Sequence, residues 1–394
     1  MKIWIENPFD NLPSEGYRPQ RYYLMAEAFV AAGHQVVYWT ADFSHSRKKY
    51  REIQGELFSN NIEIKLIPTR QYKKNVSIER VLSHREYARK WEKMALEYAS
   101  ENSSPDIIIA SMPTLSASCA ALRLKKELNA FFVADIMDAW PATFRRLLPN
   151  GCKWLYKVLF APLRKEFCEI CKGADFVTGV SSQYEPEVMR AGAKSFLKTY
   201  HAIRLSLDSH LKLPDETIRL VYAGGVGRTY DLETIVMALP KLPRCTFTIA
   251  GSGPEIKRLR SLSEKINVSD RFFTPGYLRQ RELEELLISS HIGVLPMEKD
   301  SFVGMPYKLA DYVSAAMPVV SSLEGESLDL INKYSAGLQY AAKDTLSFVG
   351  AVNAISEDII SYSAAAKRMA EAEFDATRLY ARYVNSVISA KMRS

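Results

Sequence analysis

Short apolar runs alternate with longer segments of helical periodicity along this chain, and this alternation restricts the possible folds more than any other feature. Strands that run parallel need long crossovers, so a β-α-β order is typical of a parallel sheet covered by helices on both faces. The first half is therefore predicted to be Rossmann-like. Its apolar runs are KIWIE, HQVVYWT, IEIKLIP, DIIIAS and FFVADIM, with helical segments near 23–32, 79–100 and 115–127.

A second series of the same kind follows a polar stretch that contains proline, Ser209–Thr217. The chain of 394 residues is longer than one hydrophobic core usually supports, which also favours two domains. We predict an α/β fold with two Rossmann-like, doubly wound parallel-sheet domains, residues 1–203 and 204–375. Ligands in this architecture bind at the carboxyl ends of the strands, so a cleft between the two sheets is expected. The second series reads IRLVYAG, CTFTIAG, RFFTPG, HIGVLP and PVVSS.

The last segment of the chain, Phe374–Met392, has the pattern of an amphipathic helix. Its apolar face is predicted to contain Leu379, Tyr380, Tyr383, Val384 and Val387. Two placements are open, since this helix, about 376–394, either closes the second domain or packs on the first.

Positive charge is concentrated in the first half of the chain. Residues 1–200 contain 29 Lys+Arg and 22 Asp+Glu, whereas the remainder contains 23 of each. This asymmetry indicates an anionic partner for the first domain. Residues 142–172 hold seven basic residues among aromatic and apolar ones, as an interfacial segment on anionic lipid would. The alternative is a helix that packs its apolar face into the domain. Nucleic acid is not expected, because no recognised binding motif accompanies the charge.

Cysteine usage and apolar run lengths bear on the compartment. The five cysteines are scattered, which argues against a disulfide framework and for the cytoplasm. Cys168 and Cys171 form a CxxC without a second ligand pair, so neither zinc nor redox chemistry is expected there. We expect no signal peptide or transmembrane helix, because no apolar run approaches about 18 residues.

Three glycine turns follow predicted strands of the second domain, at 224–228, 251–255 and 275–277. Glycine lets a backbone approach phosphate, and a helix that begins after such a turn favours negative charge. Turns on consecutive strand ends would form one rim, so a nucleotide site is predicted there, although each turn alone is also explained structurally. The candidate residues are Gly224, Gly225, Arg228, Gly251, Gly253 and Tyr277.

The segment Gly304–Tyr312, GMPYKLADY, is the most specific candidate. Free amides after Met305 and Pro306 would form an anion site at a helix start, to which Lys308 adds positive charge. Asp311 and Tyr312 share a helix face with Lys308, and a carboxylate there would accept hydrogen bonds from sugar hydroxyls. An ordinary ion pair on a solvated helix is the alternative.

These motifs resemble those of bacterial GT4-type glycosyltransferases of the GT-B class. The segment Gly304–Ser321 is similar to their P-x-K-L-x-[ED]-Y-x-x-A-G-x-P-V-V signature, and Asp135–Pro141 to their D-x-x-D-x-W-P. The runs Gly16–Tyr22, Ala32–Val36 and Val180–Ser182 occur in the family's order. The resemblance covers nearly the whole chain.

The resemblance implies a retaining transfer that uses neither metal nor cofactor, with the donor in the C-terminal domain and the acceptor in the N-terminal one. Arg228 and Lys308 would neutralise the diphosphate and Gly225 would lie against it. Asp311 would bind the ribose, and Asp138 would face the reacting sugar. The family's E-x7-E pair is incomplete, because Val303 stands at the first position.

The predicted function is hexosyl transfer from a nucleotide-diphosphate sugar to a saccharide or polyprenyl-pyrophosphate-linked acceptor in surface polysaccharide or O-antigen assembly. The enzyme would be cytoplasmic and peripheral on the inner face of the cell membrane, with 142–172 facing anionic lipid. Two alternatives stay open, a sugar-nucleotide epimerase of the same fold and a non-catalytic sugar-nucleotide-binding scaffold.

Overall fold

A computed structural model describes residues 1–52, 58–59, 61–74, 77–138, 140–205, 216–298 and 303–394. Most of the predicted linker, residues 209–215, and Ala139 of the Asp135–Pro141 motif lie outside the described residues. The chain divides into two compact units, one formed by Met1–Ala202 with Ala376–Ser394 and the other by Ile203–Asp375.

The first unit is built on an eight-stranded sheet in the order β10-β9-β8-β7-β1-β2-β6-β5. All neighbouring strands are parallel except β5, which runs antiparallel to β6, and β3 and β4 form a separate antiparallel pair. The strands are β1 (Lys2–Glu6), β2 (Gln35–Ala41), β3 (Phe43–Ser44), β4 (Lys49–Tyr50), β5 (Phe58–Ser59), β6 (Ile62–Ile67), β7 (Ile107–Met112), β8 (Phe131–Ile136), β9 (Phe176–Gly179) and β10 (Phe196–Lys198).

Helices cover both faces of this sheet. The strands β1, β7 and β8 are buried almost throughout, which explains their continuous apolar sequences. The helices are α1 (Arg21–Ala31), α2 (Ile78–Glu101), α3 (Leu115–Leu128), α4 (Tyr156–Leu159), α5 (Ala161–Gly173) and α6 (Glu185–Arg190), with 3₁₀ turns at Ala142–Leu147 and Asn150–Leu155.

The second unit contains a six-stranded parallel sheet in the order β13-β12-β11-β14-β15-β16. Its strands are β11 (Ile218–Ala223), β12 (Cys245–Ala250), β13 (Phe272–Gly276), β14 (Ile292–Leu295), β15 (Val319–Ser321) and β16 (Gly337–Gln339). Its helices are α7 (Leu232–Ala238), α8 (Ile256–Lys265), α9 (Gln280–Ser289), α10 (Tyr307–Ser314), α11 (Glu326–Tyr334), α12 (Thr345–Glu357) and α13 (Ile359–Met369), followed by a π-helical turn at Ala370–Phe374.

The C-terminal helix α14 (Ala376–Arg393) packs on α1 and belongs to the first unit. Tyr380, Tyr383, Val384 and Val387 are buried against the core that contains α1, while Leu379 is partly buried. The Tyr380 hydroxyl also accepts a hydrogen bond from the backbone of Ala202 at 3.2 Å. Of the two open placements, the structure selects the return to the first unit.

Candidate functional site

The first two glycine turns of the second unit pack directly against each other. The Gly224 amide donates to the Ala250 carbonyl at 2.8 Å, and the Val226 amide donates to the Ser252 carbonyl at 3.0 Å. A Cβ added at Gly251 would overlap the carbonyl oxygen of Gly224, and one at Gly253 would overlap that of Val226. Gly251 and Gly253 are therefore needed for backbone packing, whatever they contact in a ligand.

Gly225 differs from both. None of the three glycines has a positive φ, but at Gly225 no heavy atom of the described residues, apart from its chain neighbours, lies within 4 Å of an added Cβ. Its outer side is thus open to a ligand, as the predicted contact with a diphosphate requires. The third turn follows β13, the strand next to β12, so the three turns do lie on consecutive strand ends.

We expect opposite effects from alanine at these two glycines. Gly251→Ala should lower the free energy of unfolding of the second unit by about 1–3 kcal/mol, because the added methyl overpacks against backbone. Gly225→Ala should preserve stability and weaken donor binding. Urea titrations followed by far-UV circular dichroism measure the first effect and nucleotide-induced thermal shifts the second. Equal stability of the two variants would contradict the packing role of Gly251.

Lys308 lies at the first glycine turn, enclosed by two tyrosine rings. Its ammonium is 5.0 Å from the ring centroid of Tyr222 and 4.6 Å from that of Tyr230. A Cβ added at Gly224 would lie 2.9 Å from the Lys308 Nζ. Burial raises the pKa of Tyr222, which is therefore neutral and donates to the Gly225 carbonyl at 2.7 Å. The aromatic faces attract and orient the ammonium without neutralising it.

The ion pair that we considered as an alternative for Lys308 is not formed with any described carboxylate; its hydrogen bond is to the Tyr230 hydroxyl at 3.5 Å. The charge is thus available to an anion beside the backbone amides of the turn. Neither Tyr222 nor Tyr230 was a predicted site residue, since nothing in their spacing distinguishes them from core aromatics.

The remaining residues of the α10 segment have different environments. Tyr312 is fully buried, where its hydroxyl accepts from the Ala223 amide at 2.9 Å and its ring packs on Gly293. Tyr312 therefore ties α10 to the end of β11 and to Gly293 within β14. Met305 is buried, and Pro306 stands at the N-cap position of the helix. Asp311 is buried one turn beyond Lys308, and its proposed role at the ribose stays a prediction.

Arg228 and Tyr277 lie at the surface. The Arg228 side chain is 92% exposed, and its Nε is 3.5 Å from an oxygen of Glu255, whose other oxygen pairs with Arg258. The structure does not bring Arg228 into contact with Lys308, although both belong to the same rim. Tyr277 is exposed just after the left-handed Gly276.

In the first unit, the two aspartates of the Asp135–Pro141 motif are in opposite environments. Asp135 is completely buried and forms two hydrogen bonds of 2.8 Å with the Arg21 guanidinium. It also accepts from the hydroxyls of Tyr22 at 2.7 Å and Thr178 at 2.5 Å. Burial alone would raise the pKa of the Asp135 carboxyl, but the charge and hydrogen bonds of Arg21 outweigh burial and hold that pKa below its usual value.

Arg21 extends this buried network, since it donates to the backbone carbonyls of Thr199 and Tyr200. Asp135 is therefore a structural residue that joins α1, β8 and the segment after β10. Asp138, by contrast, is exposed in the turn after β8, and its charge favours the protonated form of Arg80. The described residues contain no cluster of three or more His, Cys, Asp or Glu that could hold a metal ion.

The sequence profile of the family described as glycosyl transferases group 1 matches residues 206–373, which is nearly the whole second unit. No curated protein matches the chain. Among the described residues, no helix is both long and apolar enough to cross a membrane.

Solved structures resemble the whole chain at low sequence identity. Sucrose-phosphate synthase from Thermosynechococcus elongatus is 16% identical, with complete coverage of both chains (100% each) and a TM-score of 0.73. Anabaena Alr3699/HepE in complex with UDP and glucose is 13% identical, with 99% of this chain and 100% of that chain covered and a TM-score of 0.68. WaaG, a glycosyltransferase involved in lipopolysaccharide biosynthesis, is 12% identical, with coverages of 98% and 99% and a TM-score of 0.63.

These comparisons confirm the predicted fold class and the resemblance to glycosyltransferases of the GT-B class, whereas the GT4 subclass stays a prediction. The profile match also supports sugar transfer as the general activity.

Proposed function

We propose that this chain is a glycosyltransferase that moves a hexosyl residue, with retention and without a metal, from a nucleotide-diphosphate sugar to a glycan or lipid-linked saccharide in cell-surface polysaccharide assembly. The observation that carries this proposal is the Lys308 ammonium, held by Tyr222 and Tyr230 against the first glycine turn. HepE, which has been solved with UDP and glucose, and WaaG, which acts in lipopolysaccharide biosynthesis, support the donor class and the context by analogy.

In the proposed reaction, the bond from the anomeric carbon to the diphosphate oxygen breaks and a bond from that carbon to an acceptor hydroxyl oxygen forms. Negative charge develops on the departing diphosphate, and one of its oxygens accepts the hydroxyl proton. A fixed positive charge at that position lowers the barrier most, because it needs no reorganisation during the reaction. Lys308 supplies this charge, and the exposed Arg228 side chain adds a second one when a donor binds.

The other proposed donor contacts come from the glycine rim. Gly224 and Gly225 would lie against the diphosphate, Gly251, Gly253 and Tyr277 would border the nucleotide, and the backbones of Met305 and Pro306 would contact the donor. Asp311 would bind the ribose. In the first unit, Asp138 would face the reacting sugar, to which its exposed position is suited.

A panel of UDP-, GDP-, dTDP- and ADP-sugars tests the proposal. One nucleotide should raise the Tm, and the corresponding sugar donor should release nucleoside diphosphate in the presence of an acceptor. Binding without any release would favour the scaffold, and conversion of the sugar without transfer would favour the epimerase. The absence of any response to all four nucleotides would refute the donor site.

The partner of the first unit is proposed to be an anionic membrane surface. In residues 142–172, α5 buries Phe167, Ile170 and Cys171, as a packed helix does. The segment before α5 instead leaves apolar residues exposed, since Trp154 is 69% exposed, Val158 68% and Leu159 58%. We call these three residues the apolar patch. The patch is flanked by basic side chains of the same segment, and this combination binds anionic lipid. The basic residues are Arg145, Lys153, Lys157, Arg164 and Lys165.

Glutamate at Trp154 and Val158 together should reduce binding to vesicles that contain phosphatidylglycerol by at least about 100-fold, since each lost apolar side chain is worth about 1.5–3 kcal/mol and about 1.4 kcal/mol is tenfold. Co-sedimentation measures the bound fraction. Leu346→Glu is the matched control, because Leu346 is an equally exposed apolar residue, at 67%, in the second unit. Equal sedimentation of the double variant and the control would contradict the membrane proposal.

A further inference from the structure

The first unit contains an aromatic pocket that the proposed donor chemistry does not use. It lies where β1, β2 and β6 end, and residues of α2 close its other side. Parallel sheets bind ligands at this edge. The pocket is lined chiefly by Phe9, Phe43, His45, Tyr72, His84 and Tyr87.

Two cations contact this pocket through aromatic and imidazole groups. The Arg80 guanidinium lies 5.3 Å from the Trp140 ring centroid, 5.8 Å from that of Phe9 and 6.0 Å from that of Tyr72. The Lys48 ammonium lies 4.5 Å from the Tyr72 centroid. Rings of this kind attract a cation and hold it in place.

The two histidines are neutral, so the positive charge of the pocket comes from Arg80 and Lys48. Burial, with the charges of Arg80 and Lys48, lowers the pKa of both His45 and His84 to about 3. Arg80 Nε donates to His84 Nε2 at 3.3 Å, and Lys48 Nζ is 3.2 Å from His45 Nδ1. Burial lowers the pKa of Lys48 to about 8, which leaves it mostly protonated at neutral pH. The negative charge of Asp138 favours the protonated form of Arg80.

A row of aromatic rings runs from this pocket to the apolar patch. The His84 ring is 6.2 Å from Trp140, Trp140 is 4.6 Å from Phe144, and Phe144 is 5.3 Å from Phe160. Phe160 is 5.6 Å from Tyr156, which stands between Trp154 and the exposed Val158 and Leu159 in the chain. The cationic pocket and this row of partly buried rings therefore form one aromatic surface, which extends to Tyr156, close in the chain to the apolar patch.

We propose that this surface is the acceptor site, and that it takes an amphiphilic saccharide whose phosphate or carboxylate binds Arg80 and Lys48 while its apolar chain follows the rings toward the patch. The arrangement matches such a ligand in order: guanidinium and ammonium groups bind oxyanions, aromatic faces pack on sugar rings and hydrocarbon, and the patch contacts lipid. This inference rests on the proposed function, since it identifies the acceptor of the same reaction.

Isothermal titration calorimetry with defined probes tests this acceptor site. The probes are farnesyl diphosphate, inorganic pyrophosphate, glucuronic acid and farnesol, with UDP titrated into the same samples. Arg80→Gln should weaken binding of the anionic probes by about tenfold or more, because a charge-assisted contact is lost. Lys48→Gln should act in the same direction, which covers the case that the Arg80 variant misfolds. Arg89→Gln, an exposed arginine on the same helix, should have no effect.

Phe144→Ala separates the two parts of the site. This substitution should weaken the binding of farnesyl diphosphate and leave the binding of pyrophosphate unchanged, because only the hydrocarbon chain reaches the rings. Tighter binding of the diphosphates than of glucuronic acid would identify a lipid carrier as the source of the anion. Tighter binding of glucuronic acid would identify an acidic sugar as its source. Either result agrees with the proposal. Anion binding that is unchanged in both the Arg80 and Lys48 variants would overturn it. So would the absence of anion binding in a wild-type protein that binds UDP, whereas loss of UDP binding would count against the donor site instead.

Discussion

Lys308→Ala should lower kcat/KM for the nucleotide-sugar donor by about 100- to 1,000-fold, the effect of removing one preorganised group that stabilises developing negative charge. The ammonium lies beside Gly224 between two neutral phenol rings, and no described carboxylate pairs with it. Its removal therefore takes away charge that the leaving diphosphate would otherwise meet. Release of nucleoside diphosphate, measured with a coupled assay, gives the rate.

Lys257→Ala is the matched control for this variant. Lys257 is an exposed lysine on α8 of the same unit, so its loss changes the net charge equally and the glycine rim not at all. The stabilisation of the protein by the nucleotide should also decrease in Lys308→Ala and persist in Lys257→Ala. If both variants turn over donor as the wild type does, Lys308 is not at the diphosphate and the donor site has to be sought elsewhere.

Asp135→Asn should destabilise the first unit by about 3–5 kcal/mol, the usual cost when one partner of a buried ion pair is removed. The substitution leaves the Arg21 guanidinium fully buried without its counter-charge. All five tryptophans lie in the first unit, so tryptophan fluorescence during urea unfolding measures the stability of this unit separately.

Asp138→Asn provides the comparison, because the same chemical change occurs three residues later at an exposed position. This variant should keep the urea midpoint of the wild type and lose transfer activity. If Asp135→Asn and Asp138→Asn unfold at the same urea concentration, the Arg21 pair does not stabilise the fold as described.

The pH dependence gives a second test of the same pair. The pKa of the Asp135 carboxyl in the folded protein lies below its value in an unfolded chain, which is about 3.9. The ion pair therefore stabilises the fold above about pH 4, and this stabilisation is lost as the pH falls further. The wild-type first unit should therefore lose more stability between about pH 4 and pH 2 than Asp135→Asn does. If the free energy of unfolding changes with pH in the same way in both proteins, the Arg21 pair does not lower the pKa of Asp135.

Much of the architecture could be predicted because local periodicity directly reflects burial. Strands buried on both faces have continuous apolar sequences, and the segments between them show helical spacing, so the ten runs named at the outset all became parallel strands. The helical segments predicted near 79–100 and 115–127 correspond to α2 (Ile78–Glu101) and α3 (Leu115–Leu128) in the structure. The apolar face of the C-terminal helix was likewise readable, since Tyr380, Tyr383, Val384 and Val387 are buried.

The partners of those elements depend on contacts between residues far apart in the chain, and local spacing carries no information about them. The helical pattern of α14 is compatible with packing on either unit, and only its contacts with α1 assign it to the first unit. The glycines at 225 and 251 look equivalent in sequence, yet one faces open space and the other lies on a carbonyl of the neighbouring turn.

The sequence by itself determined the two parallel sheets, the glycine turns on neighbouring strand ends and the lysine at the start of α10, because hydrophobic burial and backbone geometry act over a few residues. Only the tertiary structure decided which of two nearby aspartates is structural, since Arg21 reaches Asp135 across 114 residues of chain. It also decided that Tyr222 and Tyr230 hold Lys308, and that Arg80, Lys48 and a row of rings form one surface. Electrostatic and aromatic interactions depend on distance in space, and folding alone brings these groups together.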